Sequence, residues 1–322
     1  MTDHQPTRPE ASSSRPYLAT RTPEAKRVSV PNATPAAWIA AARPRTLPAA
    51  VAPILVGSAV AFAEGGFVLL AALASLLVAL LLQIASNLAN DVFDFQRGTD
   101  TGARVGPRRA TQSGAISSRR MVAGTAIVLG VATLPGLYLV WRGGWPIAIA
   151  GLLAIVAAVA YTGGPAPLGY LGLGEVAVFL FFGLVGVAGT AYVQTEAVTS
   201  LALLASLPIG CLVTAILVVN NLRDLETDRL AGKRTLAVRL GATATRIEYL
   251  LLAGAAYLVL PFGWALDLLS GWWLLPFLSL PLAIRLVRRV WTDRGAQLNR
   301  LLADTARLGL LFALLLAASL VL

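Results

Sequence analysis

The segment FVLLAALASLLVALLLQIASNLANDVFD, residues 67–94, joins a long apolar run to a group of asparagines and aspartates. A helix needs roughly 20 residues to cross the hydrocarbon layer of a membrane, and this run is long enough. The run ends in Asn87, Asn90, Asp91 and Asp94. Carboxylates at membrane depth are costly unless they meet cations or line a watery cavity. The segment therefore predicts a membrane-spanning helix that ends in functional side chains.

The composition of the whole chain extends this prediction. Of the 322 residues, 57% are hydrophobic and only 13% are charged, whereas soluble proteins carry about 25% charged residues. The alternating ten-residue pattern of an outer-membrane barrel is absent from the sequence. The predicted fold class is therefore all-α, a polytopic membrane protein. We expect nine spans, near residues 46–63, 67–90, 121–141, 145–162, 174–193, 201–222, 247–267, 271–290 and 303–322.

The basic residues are clustered along the chain. The net charge is +10, and the lysines and arginines fall in the N-terminal segment and in residues 97–120, 223–246 and 285–307, with only Arg142 elsewhere. Nine spans place these blocks on one side, as the positive-inside rule predicts for the cytoplasm. We therefore expect membrane lipid as a partner, no nucleic acid, and a cytoplasmic N-terminus.

The first 35 residues differ in composition from the rest of the chain. Residues 1–35 are rich in Ser, Thr, Pro and charges and contain no apolar run. Such a composition predicts a disordered tail, which the charge pattern places in the cytoplasm. Residues 36–322 are predicted to form the transmembrane domain.

A second acidic group, NNLRDLETD at residues 220–228, ends another apolar run. Asp91 and Asp94 are three residues apart, and Asp224 and Asp228 are four residues apart. If the helices continue through them, each pair projects from one helix face. An even number of spans separates the two groups, so that both are predicted to face the same compartment.

The residue types in these groups indicate their chemistry. Carboxylate and amide oxygens suit magnesium or calcium rather than zinc. Magnesium usually combines one or two carboxylates with substrate phosphates, so the two acidic helix ends are predicted to clamp a diphosphate through metal ions. The only histidine, His4, lies in the tail, and the only cysteine, Cys211, lies in an apolar run. The alternative interpretation of each group is a solvated helix end capped by asparagine and aspartate.

Basic residues follow both acidic groups. Arg104, Arg108 and Arg109 follow the first group, and Lys233 and Arg234 follow the second. Guanidinium groups bind phosphate in a bidentate manner, so we expect contacts to a diphosphate. For any single arginine, orientation by the positive-inside rule is the alternative. The chain has two lysines against 24 arginines, which favours Lys233 as a point-charge contact to phosphate.

The segment YTGGPAPLGYLGLGE, residues 161–175, connects two spans. Glycine and proline at this density cannot continue a helix, and glycine permits close approach of the backbone to a ligand. Tyr161 and Tyr170 could bracket an aromatic acceptor or a carbocation, whose charge a π face attracts. An ordinary interfacial loop is the alternative. Together with the acidic groups, this segment indicates one reaction class, in which an allylic diphosphate ionises and an electron-rich ring attacks the resulting cation.

These motifs resemble the UbiA-type membrane prenyltransferases and, more narrowly, the 1,4-dihydroxy-2-naphthoate prenyltransferases of menaquinone synthesis. The resemblance covers about residues 36–322. The matching segments are ARPRTLP at 42–48, N-x-x-N-D-x-x-D-x-x-x-G-T-D at 87–100, RVGPR at 104–108 with QSG at 112–114, YTGGPAPLGYLGLGE at 161–175, and NNLRDLETDRLAGKRTLAVRLG at 220–241.

The resemblance implies a nine-helix fold around a central cavity in the inner or plasma membrane of a prokaryote. It implies transfer of a polyprenyl chain from polyprenyl diphosphate to 1,4-dihydroxy-2-naphthoate, with loss of CO2, to give demethylmenaquinone. Two Mg²⁺ ions would bridge the diphosphate, held by Asp91, Asp94, Asp224 and Asp228, with Lys233 as a further catalytic residue. The residues expected to bind substrate are Asn87, Arg104, Arg108, Asn220, Asn221, Arg223, Arg234, Tyr161 and Tyr170.

Two alternative functions remain open at this point. A UbiA-type enzyme could use another acceptor, such as 4-hydroxybenzoate or homogentisate, and the residues themselves do not discriminate between acceptors. From a different class, the acidic pairs could form the permeation site of an ion-coupled transporter. The adjacent arginines and lysine argue against the transporter, because they raise the barrier to a cation.

Overall fold

The computed structural model describes residues 1–2, 33–99, 105–269 and 271–322. Most of the predicted tail lies outside the described residues. Arg104, which was predicted to bind substrate, lies outside them as well. Within the described part of the chain, every regular element is helical. The main elements are α1 (Pro35–Ala42), α2 (Pro48–Ala63), α3 (Leu69–Gln96), α4 (Ser118–Ala160), α5 (Gly174–Val178), a π-helical segment (Phe179–Ala188), α6 (Gly189–Thr195), α7 (Ser200–Leu230), α8 (Leu236–Ala265), a 3₁₀ segment (Gly271–Ser279), α9 (Leu280–Thr292) and α10 (Gln297–Val321).

The apolar helices confirm the predicted all-α membrane fold. In the described ranges, six helical stretches are long and apolar enough to cross a membrane, and Pro35–Thr46 with α2, bent by 52°, makes a seventh if that pair is counted as one span. The 43-residue α4 is interrupted at Gly144 (φ 68°, ψ −157°), which divides it into the two spans that the sequence predicts there. The 3₁₀ segment and α9 occupy the region of the predicted span 271–290, although they are not among the stretches that are long and apolar enough to cross a membrane. These segments agree roughly with the nine predicted.

Helices α3 and α7 both continue beyond their apolar runs. The predicted spans end near residues 90 and 222, whereas α3 reaches Gln96 and α7 reaches Leu230. Both acidic groups are therefore helical, so that each presents its side chains with the helical repeat of 3.6 residues per turn.

Helix α7 forms the centre of the fold. It packs against α8, α10 and the π-helical segment, and most of its apolar stretch is buried. A Cβ atom added to Gly183 would lie 2.9 Å from the Cα of Gly210, so the π-helical segment and α7 meet almost backbone to backbone. Helix α4 packs mainly on α3 and exposes Leu134, Trp141 and Leu152. This arrangement leaves a space between the α3–α4 pair and α7.

Candidate functional site

A cavity of about 650 Å³ lies between α2, α3, α4, the π-helical segment and α7. Its deeper walls are apolar, with Leu82, Leu137, Ile155 and Phe182 among the lining residues. At the ends of α3 and α7 the lining becomes polar and charged. The polar lining residues at this end are Arg43, Thr46, Gln83, Ser86, Asn87, Asn90, Asp94, Thr99, Arg109, Tyr161, Thr162, Asn220, Asn221, Asp224, Thr227, Asp228 and Lys233, and Ser75, Thr133 and Thr190 line other parts of the cavity.

Helix α3 contributes a stripe of polar side chains to this lining. Gln83, Asn87, Asn90 and Asp94 recur at intervals of three or four residues, so that they share one helix face. The Asn87 amide donates to the Ala42 carbonyl oxygen and to the Thr46 hydroxyl, each at 3.0 Å. Asn87 thus fixes the segment that precedes α2 at the rim of the cavity.

Asp94 is contacted by side chains from several segments of the chain. Its side chain is buried, and Oδ2 accepts a hydrogen bond from the Arg109 guanidinium at 2.9 Å. Oδ1 accepts from the Tyr170 hydroxyl at 2.9 Å and lies 4.0 Å from Lys233 Nζ. Three segments of the chain therefore converge on one carboxylate.

Asp91 occupies a different environment from Asp94. Asp91 is not among the described residues that line the cavity. Its two oxygens accept hydrogen bonds from the backbone N–H groups of Ala110 (3.0 Å) and Thr111 (2.9 Å). Asp91 was predicted to be a magnesium ligand, but in this geometry its carboxylate holds the loop that carries Arg109.

The second acidic group presents both of its aspartates to the cavity. Asp224 and Asp228 line it together with Asn220 and Asn221. Arg223 lies behind them, where it donates to Asp224 Oδ1 and Asn220 Oδ1, both at 2.8 Å. Arg223 was predicted to bind substrate, whereas the structure places it outside the described lining, as a partner of two lining residues.

Lys233 joins the two acidic helices. Its Nζ lies 3.8 Å from Asp228 Oδ1 on α7 and 4.0 Å from Asp94 Oδ1 on α3. The same ammonium group is 5.0 Å from the ring centroid of Tyr170, and the Arg97 guanidinium is 5.1 Å from that centroid. Two cations therefore flank the Tyr170 ring, and its hydroxyl is bonded to Asp94.

The two tyrosines of the glycine-rich connection have separate positions. Tyr161 lines the cavity, whereas Tyr170 is not among the described residues that line it. Burial, followed by the charge of Asp94, raises the pKa of Tyr170 above its usual value. The Tyr170 phenol is therefore a neutral hydrogen-bonding group. Only Tyr161 is placed to touch a ligand in the cavity.

The arginines that were predicted to contact the diphosphate differ in exposure and in their position relative to the cavity. Arg108 and Arg234 are exposed, while Arg109 is buried against Asp94 and lines the cavity. Arg43 also lines the cavity, although it was not among the predicted site residues. It has a left-handed backbone conformation (φ 52°) immediately before Pro44. The residue before a proline is disfavoured in the right-handed helical region. The Arg43–Pro44 pair was therefore the sequence signal for a break in the helix at Arg43.

The oxygen atoms of the site are suited to a hard divalent cation. Across the described ranges, no three carboxylate, histidine or cysteine side chains lie close enough together to hold a metal ion by themselves. Magnesium commonly completes its coordination with waters and substrate phosphates. The carboxylates of Asp94, Asp224 and Asp228 therefore fit a metal that binds together with a phosphorylated ligand.

Comparison with known proteins gives a consistent result. The sequence model of the UbiA prenyltransferase family matches residues 50–316. A 1,4-dihydroxy-2-naphthoate octaprenyltransferase from Haemophilus influenzae is 41% identical over 288 residues, which cover 86% of this chain and 93% of that protein. The protein of the same name from Mycobacterium tuberculosis is 42% identical over 288 residues, 88% of this chain and 97% of that one.

A solved structure shares the fold. The structure of a UbiA homologue from Archaeoglobus fulgidus bound to GPP and Mg²⁺ superposes with a TM-score of 0.62 at 15% identity, and the match covers 88% of this chain and 99% of that chain. The match to the family model extends over most of the sequence, and the relatives align over nearly their full length. The chain belongs to the UbiA prenyltransferase family.

Proposed function

We propose that this protein transfers a polyprenyl chain from polyprenyl diphosphate to 1,4-dihydroxy-2-naphthoate. Diphosphate and CO2 leave, and the product is demethylmenaquinone in its quinol form. The observation that carries the proposal is a single cavity that is apolar in its depth and has Asp94, Asp228 and Lys233 together at one end. The names of the 41% and 42% identical relatives support the choice of acceptor.

The charged end of the cavity fits the diphosphate of the prenyl donor. Asp94, Asp224 and Asp228 would hold Mg²⁺, and we propose two ions. Magnesium, when bound, neutralises charge on the leaving diphosphate. Arg109 and Lys233 supply fixed positive charge beside Asp94, where they can bind phosphate oxygens directly. Without a metal, the carboxylates would repel the same ligand.

The apolar part of the cavity fits the prenyl chain and protects the reaction. As the C1–O bond of the donor breaks, its electron pair leaves with the diphosphate and C1 becomes an allyl cation. The ring of the acceptor supplies the electron pair of the new C–C bond, and the pair of the ring–carboxylate bond returns to the ring as CO2 departs. Apolar walls such as Leu82 and Phe182 exclude water that would quench the cation.

We also propose that the charged end faces the cytoplasm of a prokaryotic cell, together with the N-terminus. The first turn of α10 reaches this end, because Arg223 of α7 donates to Asn299 at 3.1 Å and Asn299 donates to the Val105 carbonyl at 3.2 Å. The basic blocks around residues 97–120, 223–246 and 285–307 therefore share one end of the helices. Basic residues accumulate on the cytoplasmic side.

The proposal is tested by incubating the purified protein with a labelled prenyl diphosphate and 1,4-dihydroxy-2-naphthoate, with and without Mg²⁺. We expect a prenylated, decarboxylated product by mass spectrometry only when Mg²⁺ is present. Parallel reactions with 4-hydroxybenzoate and homogentisate establish the acceptor. If folded protein in proteoliposomes forms no product but carries a cation flux, the transporter replaces the enzyme.

A further inference from the structure

Glu175 is a buried carboxylate in the first turn of α5, next to the cavity. It is 6% exposed, and its Oε1 accepts a hydrogen bond from the Asn221 side-chain amide at 2.7 Å. Asn221 is 5% exposed and lines the cavity one helical turn before Asp224. Breaking a hydrogen bond between two buried partners leaves polar groups without a partner, which is costly, so this pair holds the amide firmly.

The contact determines which end of the Asn221 amide is available to a ligand. An asparagine amide carries a donor end and an acceptor end, and in this hydrogen bond the donor end points at Glu175 Oε1. The amino group of Asn221 therefore faces Glu175. The atom that Asn221 can offer to the cavity is its carbonyl oxygen, Oδ1, which accepts hydrogen bonds.

The wall around Asn221 is closely packed. A Cβ atom added to Gly174 would lie 2.9 Å from the Tyr161 hydroxyl and 3.4 Å from Leu217. Tyr161 and Leu217 both line the cavity, so the end of α4, the start of α5 and α7 meet there. The wall combines an aromatic ring, an aliphatic side chain and a fixed acceptor oxygen, which suits a flat ring that carries a hydroxyl group.

We propose that Glu175 is a positioning residue, which orients Asn221 so that Oδ1 accepts a hydrogen bond from a hydroxyl group of the aromatic acceptor. The inference rests on the proposed function. In 1,4-dihydroxy-2-naphthoate the 1-hydroxyl lies next to the carboxylate and bonds to it internally. The 4-hydroxyl is the donor that lacks an internal partner. Glu175 thereby makes the site selective for an acceptor that has this second hydroxyl group.

The test compares two ligands that differ only at this position. Binding of 1,4-dihydroxy-2-naphthoate and of 1-hydroxy-2-naphthoate is measured by calorimetry on the full-length protein without prenyl donor. For the wild type we expect the dihydroxy compound to bind about tenfold tighter, the effect of one hydrogen bond. In Glu175→Leu the ratio of the two Kd values should fall to about one, with the KM for prenyl diphosphate unchanged.

Glu175→Gln separates orientation from charge. The glutamine carbonyl oxygen can still accept from the Asn221 amide, so the ligand preference should return. Glu248 of α8 provides a matched control, because it is a second partly buried carboxylate of the described chain. Within the described chain its Oε2 has no hydrogen-bond partner. Glu248→Gln should keep the wild-type ratio.

Several results would overturn the inference. A Kd ratio near one in the wild type, or an unchanged ratio in Glu175→Leu, shows that Asn221 does not read the hydroxyl group. Loss of the preference in Glu175→Gln shows that the carboxylate charge itself is needed. Since binding is measured without turnover, a wild type that discriminates between the ligands but forms no product contradicts the proposed function and leaves the inference standing.

Discussion

The acidic groups of α3 and α7 look alike in the sequence, yet the two helices use their aspartates differently. On α7, Asp224 and Asp228 both line the cavity. On α3, Asp94 lines it, while Asp91 holds the backbone of residues 110–111. On α3, therefore, one aspartate lines the cavity, and the other binds the backbone of the loop beside it.

The difference follows from helix geometry and from what surrounds each helix. Successive residues of an α-helix are rotated by about 100°, so a spacing of three or four residues still leaves an aspartate near the edge of a face. On α3, the loop that follows packs against that edge and supplies two backbone N–H groups to Asp91. Because this loop carries Arg109, Asp91 acts on the cavity indirectly, by placing Arg109 beside Asp94.

The sharpest test of the comparison removes one cavity carboxylate from each helix. We expect Asp94→Asn and Asp228→Asn each to lower turnover by at least about 10³-fold, since both would lose the negative charge that binds the metal and, through the metal, the diphosphate. The measurement is the initial rate of prenylated product per mole of folded, monodisperse protein. A rate within tenfold of the wild type in either variant contradicts the assignment of that side chain to the charged end.

The next test separates Asp91 from Asp94. Asp91→Asn replaces one of two acceptor oxygens with an amino group, which leaves a buried backbone N–H without a partner at a cost of about 1–3 kcal/mol. We expect a lower unfolding temperature and a rate reduced by about 10- to 100-fold, because Arg109 is less firmly placed. The Mg²⁺ concentration for half-maximal rate should be unchanged. A marked rise in that concentration would show that Asp91 binds the metal after all.

The same contrast shows which parts of the structure the sequence could predict. The apolar runs and the clustered arginines predicted an all-helical membrane fold, and the helices confirm it. That Asp94, Asp228 and Lys233 lie together agrees with the predicted meeting of the two acidic helices. These features depend on local composition and helical periodicity, which a sequence displays directly.

The positions that the sequence could not predict depend on contacts between distant segments. Periodicity cannot decide between Asp91 and Asp94, because the choice depends on a loop 15 or more residues away. The connection 161–175 has no periodicity, so nothing indicated that Tyr170 would lie between two cations while Tyr161 faces the cavity. Glu175 gave no signal of its own, since its partner Asn221 is 46 residues away.

A third test concerns Tyr170, whose hydroxyl group donates a hydrogen bond to Asp94 of α3. Tyr170→Phe removes a hydrogen bond to a charged group, worth about 1.5–3 kcal/mol, and we expect kcat/KM to fall by about tenfold. Burial and the charge of Asp94 raise the pKa of this phenol above its usual value. The donor is therefore present below the raised pKa and is lost only when the pH rises through it.

The pH dependence provides the control for this variant. Between pH 7 and 10, the ratio of wild-type to Tyr170→Phe activity should stay constant, because the wild-type phenol remains protonated throughout. The ratio is obtained from kcat/KM at saturating Mg²⁺. A ratio that collapses towards one as the pH approaches 10 would show that Tyr170 ionises in the ordinary range and that the bond to Asp94 is weaker than the structure indicates.

The smallest expected effects come from the basic pairs that follow the two acidic groups. Each pair, Arg108–Arg109 and Lys233–Arg234, has one member at the cavity and one exposed member. Exposed substitutions usually change free energies by less than about 0.5 kcal/mol, so Arg108→Ala and Arg234→Ala should keep the rate within about twofold. Arg109→Ala and Lys233→Ala are the matched controls, and both should lower it by about 100-fold or more, because each removes a cation that contacts Asp94. Equal losses within a pair, measured as kcat/KM for the prenyl diphosphate, would mean that the exposed arginine also reaches the diphosphate, and the two regions would then differ only in the use of Asp91.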